Sequence, residues 1–204
     1  MNADLFGPDY WIHVRTHVVL AASALAVSAI IALPLGVLIA RAKLIRPAVL
    51  AFVNTFRVIP SLAILMLMLP LIGLGFGSAL VALVVLAIPP IVVNTDLGLR
   101  GVPFALVDSA RGMGMTRFEL ARRVEWPLAF PVAFAGIRTA SVEVIASATL
   151  AAFIGGGGLG EYITAGLSTD DTTQLLLGAI SVAVLALGVD VALAAIARKI
   201  TVPT

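Results

Sequence analysis

Between Leu99 and Pro127 the chain reads LRGVPFALVDSARGMGMTRFELARRVEWP. Eight of the 24 charged residues stand here: Arg100, Asp108, Arg111, Arg117, Glu119, Arg122, Arg123 and Glu125. The local signals are those of two short helices. Pro103 suits the opening turn of a helix, where its missing N–H is not needed. Leu106, Val107 and Ala110 give that helix an apolar face, and Gly112 and Gly114 stop it. Thr116, with Glu119 three residues on, forms a capping box for a second helix. Glu119 can also pair with Arg122 or Arg123, and Pro127 ends the second helix. The expectation is two short helices at about a right angle. Connections of this length are usually functional, so docking of a soluble partner is favoured over a bare joint.

Outward from this segment the chain is apolar in both directions. Of 204 residues, 61% are hydrophobic and 12% charged. Soluble domains carry about 25% charge and about 45–50% apolar residues. A water-soluble fold and a disordered chain are therefore both excluded. With no cysteine there is no disulfide scaffold, and a net charge of +2 does not point to nucleic acid. Five stretches approach the roughly 20 apolar residues that cross a bilayer: His17–Ala40, Ala48–Ile72, Ser78–Gly98, Leu128–Ile154 and Thr173–Ala197. They leave no room for a separate soluble domain. The expected fold is an all-α integral membrane protein, one transmembrane domain over residues 1–204, with a two-helix loop between spans three and four.

Basic residues mark the cytoplasmic side. Arg41, Lys43 and Arg46, the five arginines of the long loop, and Arg198 and Lys199 all fall on one side, while Arg15 stands on the other. The N-terminus is accordingly expected outside and the C-terminus in the cytoplasm. Asp4, Asp9, Glu161, Asp170 and Asp171 all fall outside, in agreement. The N-terminus begins with acids rather than a basic region, so its span is read as retained rather than as a cleaved signal. Trp11 and Trp126 stand at expected membrane edges.

The long loop resembles the coupling signature of ABC-importer permeases, in which E-A-A is followed after three residues by G and nine residues later by I-x-L-P. Asp108, Ser109 and Ala110 stand at the E-A-A positions, Gly114 at the glycine, and Val124, Trp126 and Pro127 at the final ones. The spacing matches throughout; Asp108, Ser109 and Trp126 depart mildly in chemistry. In that family the motif docks into a groove on an ATPase subunit and transmits its closure to the spans. NTFRVIPSLA (Asn54–Ala63), the run from Gly112 to Ala140, and ATLAAFIGGGGLGEYI (Ala148–Ile163) further resemble permeases importing glycine betaine, carnitine and choline. Methionine-import permeases share the five-span plan and a similar glycine-rich segment, and are the nearest rival. The resemblance implies a cytoplasmic ABC ATPase dimer, an extracytoplasmic solute-binding protein, a second permease copy or sister permease, and an inner-membrane location. ATP and magnesium belong to the partner: neither Lys43 nor Lys199 stands in a G-x-x-x-x-G-K-[ST] loop. A passive channel or structural membrane subunit is the alternative from another class.

Ionisable groups at bilayer depth are functional candidates. Asp96 and Arg100 are expected to pair at i,i+4. Arg57 needs a partner, for which Asp190 and Glu143 are available, and Arg138 can snorkel to the cytoplasm. Pro60, followed by Ser61, breaks the helix beside Arg57, and a broken helix in a membrane lines a cavity or is supported by neighbours. Pro89-Pro90, ahead of Asn94, are expected to break span three similarly. Glu143 either attracts a cationic solute or neutralises Arg57 or Arg138. Gly155, Gly157 and Gly158 read as a close-packing or gating hinge at the outer mouth, not as a dinucleotide loop, since no strand precedes them. His13 and His17 share a helix face, with interfacial packing favoured over metal. No catalytic or metal-ligand cluster is expected.

Overall fold

The computed structural model describes residues 7–200, and within these all regular structure is helical. The fold is built around α4 (Phe76–Arg100), most of whose residues are buried. α1 (Pro8–Arg41) packs along one side of it and α7 (Trp126–Ser147) along another. Glycines set these approaches. A Cβ on Gly36 would lie 2.5 Å from the Thr95 Cβ, one on Gly98 would lie 2.6 Å from the Ala129 carbonyl, and one on Gly136 would lie 2.6 Å from the Pro90 carbonyl. With lipid as apolar as leucine, such small-residue contact is what holds membrane helices together. α9 (Thr172–Ile200) lies outermost, against α7 and α8 (Gly160–Ser168), and is largely uncovered.

Among the described residues, four helical stretches are long and apolar enough to cross a bilayer: α1, α4, the run Arg117–Ile154, and α9. The second expected span, Ala48–Ile72, is not one straight helix. It divides into α2 (Arg46–Val58) and α3 (Ser61–Ile72), bent by 96°; counted together they make a fifth crossing. The cause is Pro60, which forces the residue before it out of the α region. Ile59 and Pro60 are both extended, at ψ 127° and ψ 133°.

Other details differ. The helix of the first span, α1, begins at Pro8, ahead of the stretch His17–Ala40 expected to cross the bilayer, because Pro8 suits the opening turn and the buried Tyr10 already packs, its hydroxyl 2.8 Å from Ser181 Oγ. At about 1.5 Å per residue this 34-residue helix outreaches the bilayer core. Span three is unbroken at Pro89-Pro90. There α1 and α7 clasp α4 from two sides: Ser28 Oγ donates to the Val84 carbonyl, and Gly136 lets α7 close on Pro90. Neighbouring helices thus hold the segment straight where the exposed Pro60 has no such support. Pro127 does not end the second loop helix. α6 (Arg117–Leu120) runs through a π turn (Ala121–Glu125) directly into α7, so the second loop helix is continuous with the helix of the fourth span. The fourth span closes in a tighter 3₁₀ segment, Ala148–Ile154.

Candidate functional site

The two ends of the bundle differ in chemistry. At one end lie the C-termini of α1 and α4 and the long loop, tied by Arg41 Nη2 to Glu125 at 3.0 Å. Asp96, buried, accepts from Arg100 Nη2 at 2.8 Å and Nε at 3.0 Å, the expected i,i+4 pair. α5 (Phe104–Gly112) stands clear of the bundle. Of its nine residues only Ala110 is buried, at 2% exposure. Asp108 and Ser109 are exposed beside it. Phe104 is 75% exposed, and Met113 and Phe118 beyond the helix are 71% and 72%. Large apolar side chains exposed on a charged loop are candidates for an interaction surface. The sequence reading missed these; the signal was phenylalanine inside a charged connection.

Behind α5, Gly112 closes the helix and Gly114 turns the chain at φ +80°, which glycine adopts without steric penalty. The capping box forms: Thr116 N and Oγ1 donate to Glu119 at 3.0 and 2.9 Å, and the Glu119 N–H donates back to Thr116 Oγ1 at 3.3 Å. Glu119 is thereby held by its cap. Val124 sits half-buried in the π turn. Trp126 starts α7 and packs edge-on against Phe130, while Pro127 is exposed.

At the opposite end the glycine-rich hairpin packs on α1. Gly155, Gly157 and Gly158 have φ of +71°, +76° and +90°. The Gly158 Cβ position lies 3.0 Å from His17 Nδ1. His17 is fully buried and donates from Nε2 to the Ile145 carbonyl at 3.0 Å. His13 Nδ1 lies 3.5 Å from Glu161, and its ring meets Tyr162 edge-on. The two histidines therefore serve separate contacts. Burial, then Asp9 and Tyr10, push the Tyr162 phenol up. The Gly75 N–H donates to the Ile154 carbonyl at 2.8 Å, stitching the α3–α4 turn to this hairpin.

Between the ends, Arg138 on α7 forms a two-point pair with Asp190 on α9, Nε to Oδ1 and Nη2 to Oδ2, the latter at 2.7 Å. Arg138 thus does not snorkel, and Asp190 is not the partner of Arg57: the α7–α9 packing brings the first pair together. Arg57 stands exposed in the last turn of α2, next to the bend at Pro60 and Ser61. Asn94, half-buried, donates to the Pro90 carbonyl of its own helix at 2.8 Å. Glu143 is half-buried on α7 and borders a cavity of about 580 Å³ between α7 and α9.

This arrangement has counterparts. A glycine betaine/carnitine/choline transport system permease protein, OpuCB of Bacillus subtilis (strain 168), is 45% identical over 91% of this chain and 85% of its own. The osmoprotectant import permease protein OsmW of Salmonella typhimurium is 41% identical over 85% of this chain and 83% of its own. Among solved structures, a chain of the methionine ABC transporter MetNI in an inward-facing conformation superimposes with a TM-score of 0.85 at 26% identity, covering 96% of this chain and 99% of that one. An amino acid ABC transporter shares the fold, with a TM-score of 0.72 and 17% identity. The family model for binding-protein-dependent transport system inner membrane components matches residues 32–202. With its helical spans, free-standing α5 and these relatives, the chain belongs to that family.

Proposed function

We propose that the chain is the permease subunit of an ATP-driven importer that moves quaternary ammonium osmoprotectants (glycine betaine, carnitine or choline) into the cytoplasm. The observation that carries the docking role is α5, held to the bundle by Ala110 while Phe104, Asp108 and Ser109 stay uncovered. In this reading the whole chain, residues 1–204, is one transmembrane domain. The end bearing Arg41, Arg100 and α5 faces the cytoplasm, the N-terminus lies outside, and α2–α3 counts as one broken span. Asp108, Ser109, Ala110, Gly112, Gly114, Val124, Trp126 and Pro127 form the element that couples to the ATPase. ATP and magnesium act there, in the partner.

Two permeases, identical or sister chains, pair about a two-fold axis, because five crossings enclose no path alone. A binding protein delivers solute to the glycine-rich end, where Gly155, Gly157 and Gly158 form the outer hinge. The path runs past Arg57, Pro60, Ser61, Asn94 and Glu143. Closure of the ATPase dimer draws the two α5 helices together and opens the outer side. Substituting Phe104→Asp with Leu106→Asp tests this. Uptake and co-purification of the ATPase are expected to fall together while membrane insertion stays intact; both unchanged would refute the docking role. The similarity to a methionine transporter raises methionine as the second solute. Uptake of labelled glycine betaine, choline and methionine in cells lacking their own importers decides between them.

A further inference from the structure

A displacement of α5 enters the bundle at two places. Along the chain it passes into α4, and by packing it passes through α6 and the π turn Ala121–Glu125 into α7. The first route is firm. Only Gly101 to Pro103 separate α5 from α4, and Arg100 at that junction is gripped by the buried Asp96. The second route is soft. A π turn departs from the regular i→i−4 ladder of the helix on either side of it, so a push on it can be absorbed by rewinding. Nor does the chain fill the space beneath. Between the π turn and the ends of α1 and α4 lies a cavity of about 260 Å³, walled by Val37, Leu99, Phe118 and Trp126 with Arg41 and Glu125.

An ion pair spans this gap. Arg41 is the last residue of α1 and Glu125 the last residue of the π turn. They stand 84 residues apart in the chain, yet Arg41 Nη2 donates to Glu125 Oε2 at 3.0 Å. We propose that this pair is the brace of the coupling loop: it pins the π turn to α1 while the ATPase moves α5, so that the movement reaches α1 and α7 instead of being spent in the turn. Arg41 and Glu125 are thus positioning residues that act through the π turn. The side chains are 56% and 23% exposed, and pairs so open to solvent contribute little to stability. The fold does not depend on this contact, which leaves transmission as its role. The inference goes beyond the docking of α5 and rests on it.

The test uses the full transporter, reconstituted with its ATPase and binding protein in liposomes, and reads solute moved per ATP hydrolysed. Arg41→Gln and Glu125→Gln are each expected to lower that ratio about threefold, the scale of one such pair, while Tm stays within about 2 °C of wild type. The double variant should be no worse than either single one, because both remove the same interaction. Exchanging the charges, Arg41→Glu with Glu125→Arg, should recover about half of the lost ratio or more. Unchanged ratios in the single variants, effects that multiply in the double one, or no recovery on exchange would each overturn the brace.

A second measurement replaces the ion pair by a covalent link. The chain has no cysteine, so Arg41→Cys with Glu125→Cys supplies the two thiols, and treated wild-type transporter is the control. The ratio should be low before treatment, recover when a short bifunctional methanethiosulfonate joins the thiols, and fall again on reduction. A joined transporter that stays uncoupled, or one that stops moving solute, refutes a brace that holds throughout the cycle. If ATP hydrolysis by the wild-type transporter responds to no solute, the importer reading fails and the brace with it. With a responsive wild type, the variants judge the brace alone.

Discussion

Replacing Gly136 with alanine tests the contact on which the bundle depends. The new Cβ would stand 2.6 Å from the Pro90 carbonyl oxygen and 2.7 Å from the Asn94 Cβ. Comfortable contacts lie at about 3.5–4.0 Å, so α4 and α7 must part by about 1 Å. Neither neighbour gives way easily: the Pro90 oxygen is backbone, and Asn94 is tethered to it at 2.8 Å. Overpacking of this kind costs about 1–3 kcal/mol, while alanine in place of glycine in a helix returns at most about 1 kcal/mol. The net expectation is a loss of about 1–2 kcal/mol, or about 2–8 °C in Tm for a chain of this length. Gly188→Ala is the internal reference. It lies in α9 with nothing within 4 Å of its Cβ position, so it should be neutral or slightly stabilising. Thermal unfolding of the purified chain in detergent compares the two. If Gly136→Ala melts at or above Gly188→Ala, α4 and α7 do not meet as described.

Two further outcomes are expected. Gly158→Ala forces a side chain into φ +90° and against the buried His17 ring, which costs about 1–2 kcal/mol; it should loosen the hairpin and slow uptake, read as faster amide exchange at Glu161 and Tyr162 and a lower transport rate. Thr116→Ala removes the cap that receives the Glu119 N–H, worth about 0.5–2 kcal/mol locally; exchange at Phe118 and Glu119 should quicken with little change in the global Tm.

The sequence was most informative where chemistry is local. The stop at Gly112 and Gly114, the capping box at Thr116, and the Asp96–Arg100 pair all arise from residues within one or two turns, and each stands where spacing placed it. It was least informative where distant helices decide. Pro60 and Pro89-Pro90 look alike in sequence, yet one breaks its helix and the others do not. The difference lies in Ser28 and Gly136, remote in the chain and adjacent in space. Asp190 was a candidate for Arg57, and Arg138 was expected to snorkel, until α9 lay against α7 and joined Arg138 to Asp190. The exposure of Phe104 and Phe118 was equally hidden, since whether an aromatic in a loop is covered depends on everything around it.

The π turn carries a consequence of its own. Trp126 donates its N–H to Ala121, five residues back, where an α-helix would reach four. One residue is therefore accommodated without advancing the rod, and everything beyond it is dialled back by about 100°. The turn works as a phase setting between α6 and the span. Deleting one residue from Ala121–Glu125 would restore ordinary winding and swing Arg138 about a quarter-turn off Asp190. The Thr116 box would stay in place while the face of α7 that bears Arg138 pointed elsewhere. The rotational setting of α7 relative to α6 is thus fixed by the five residues Ala121–Glu125.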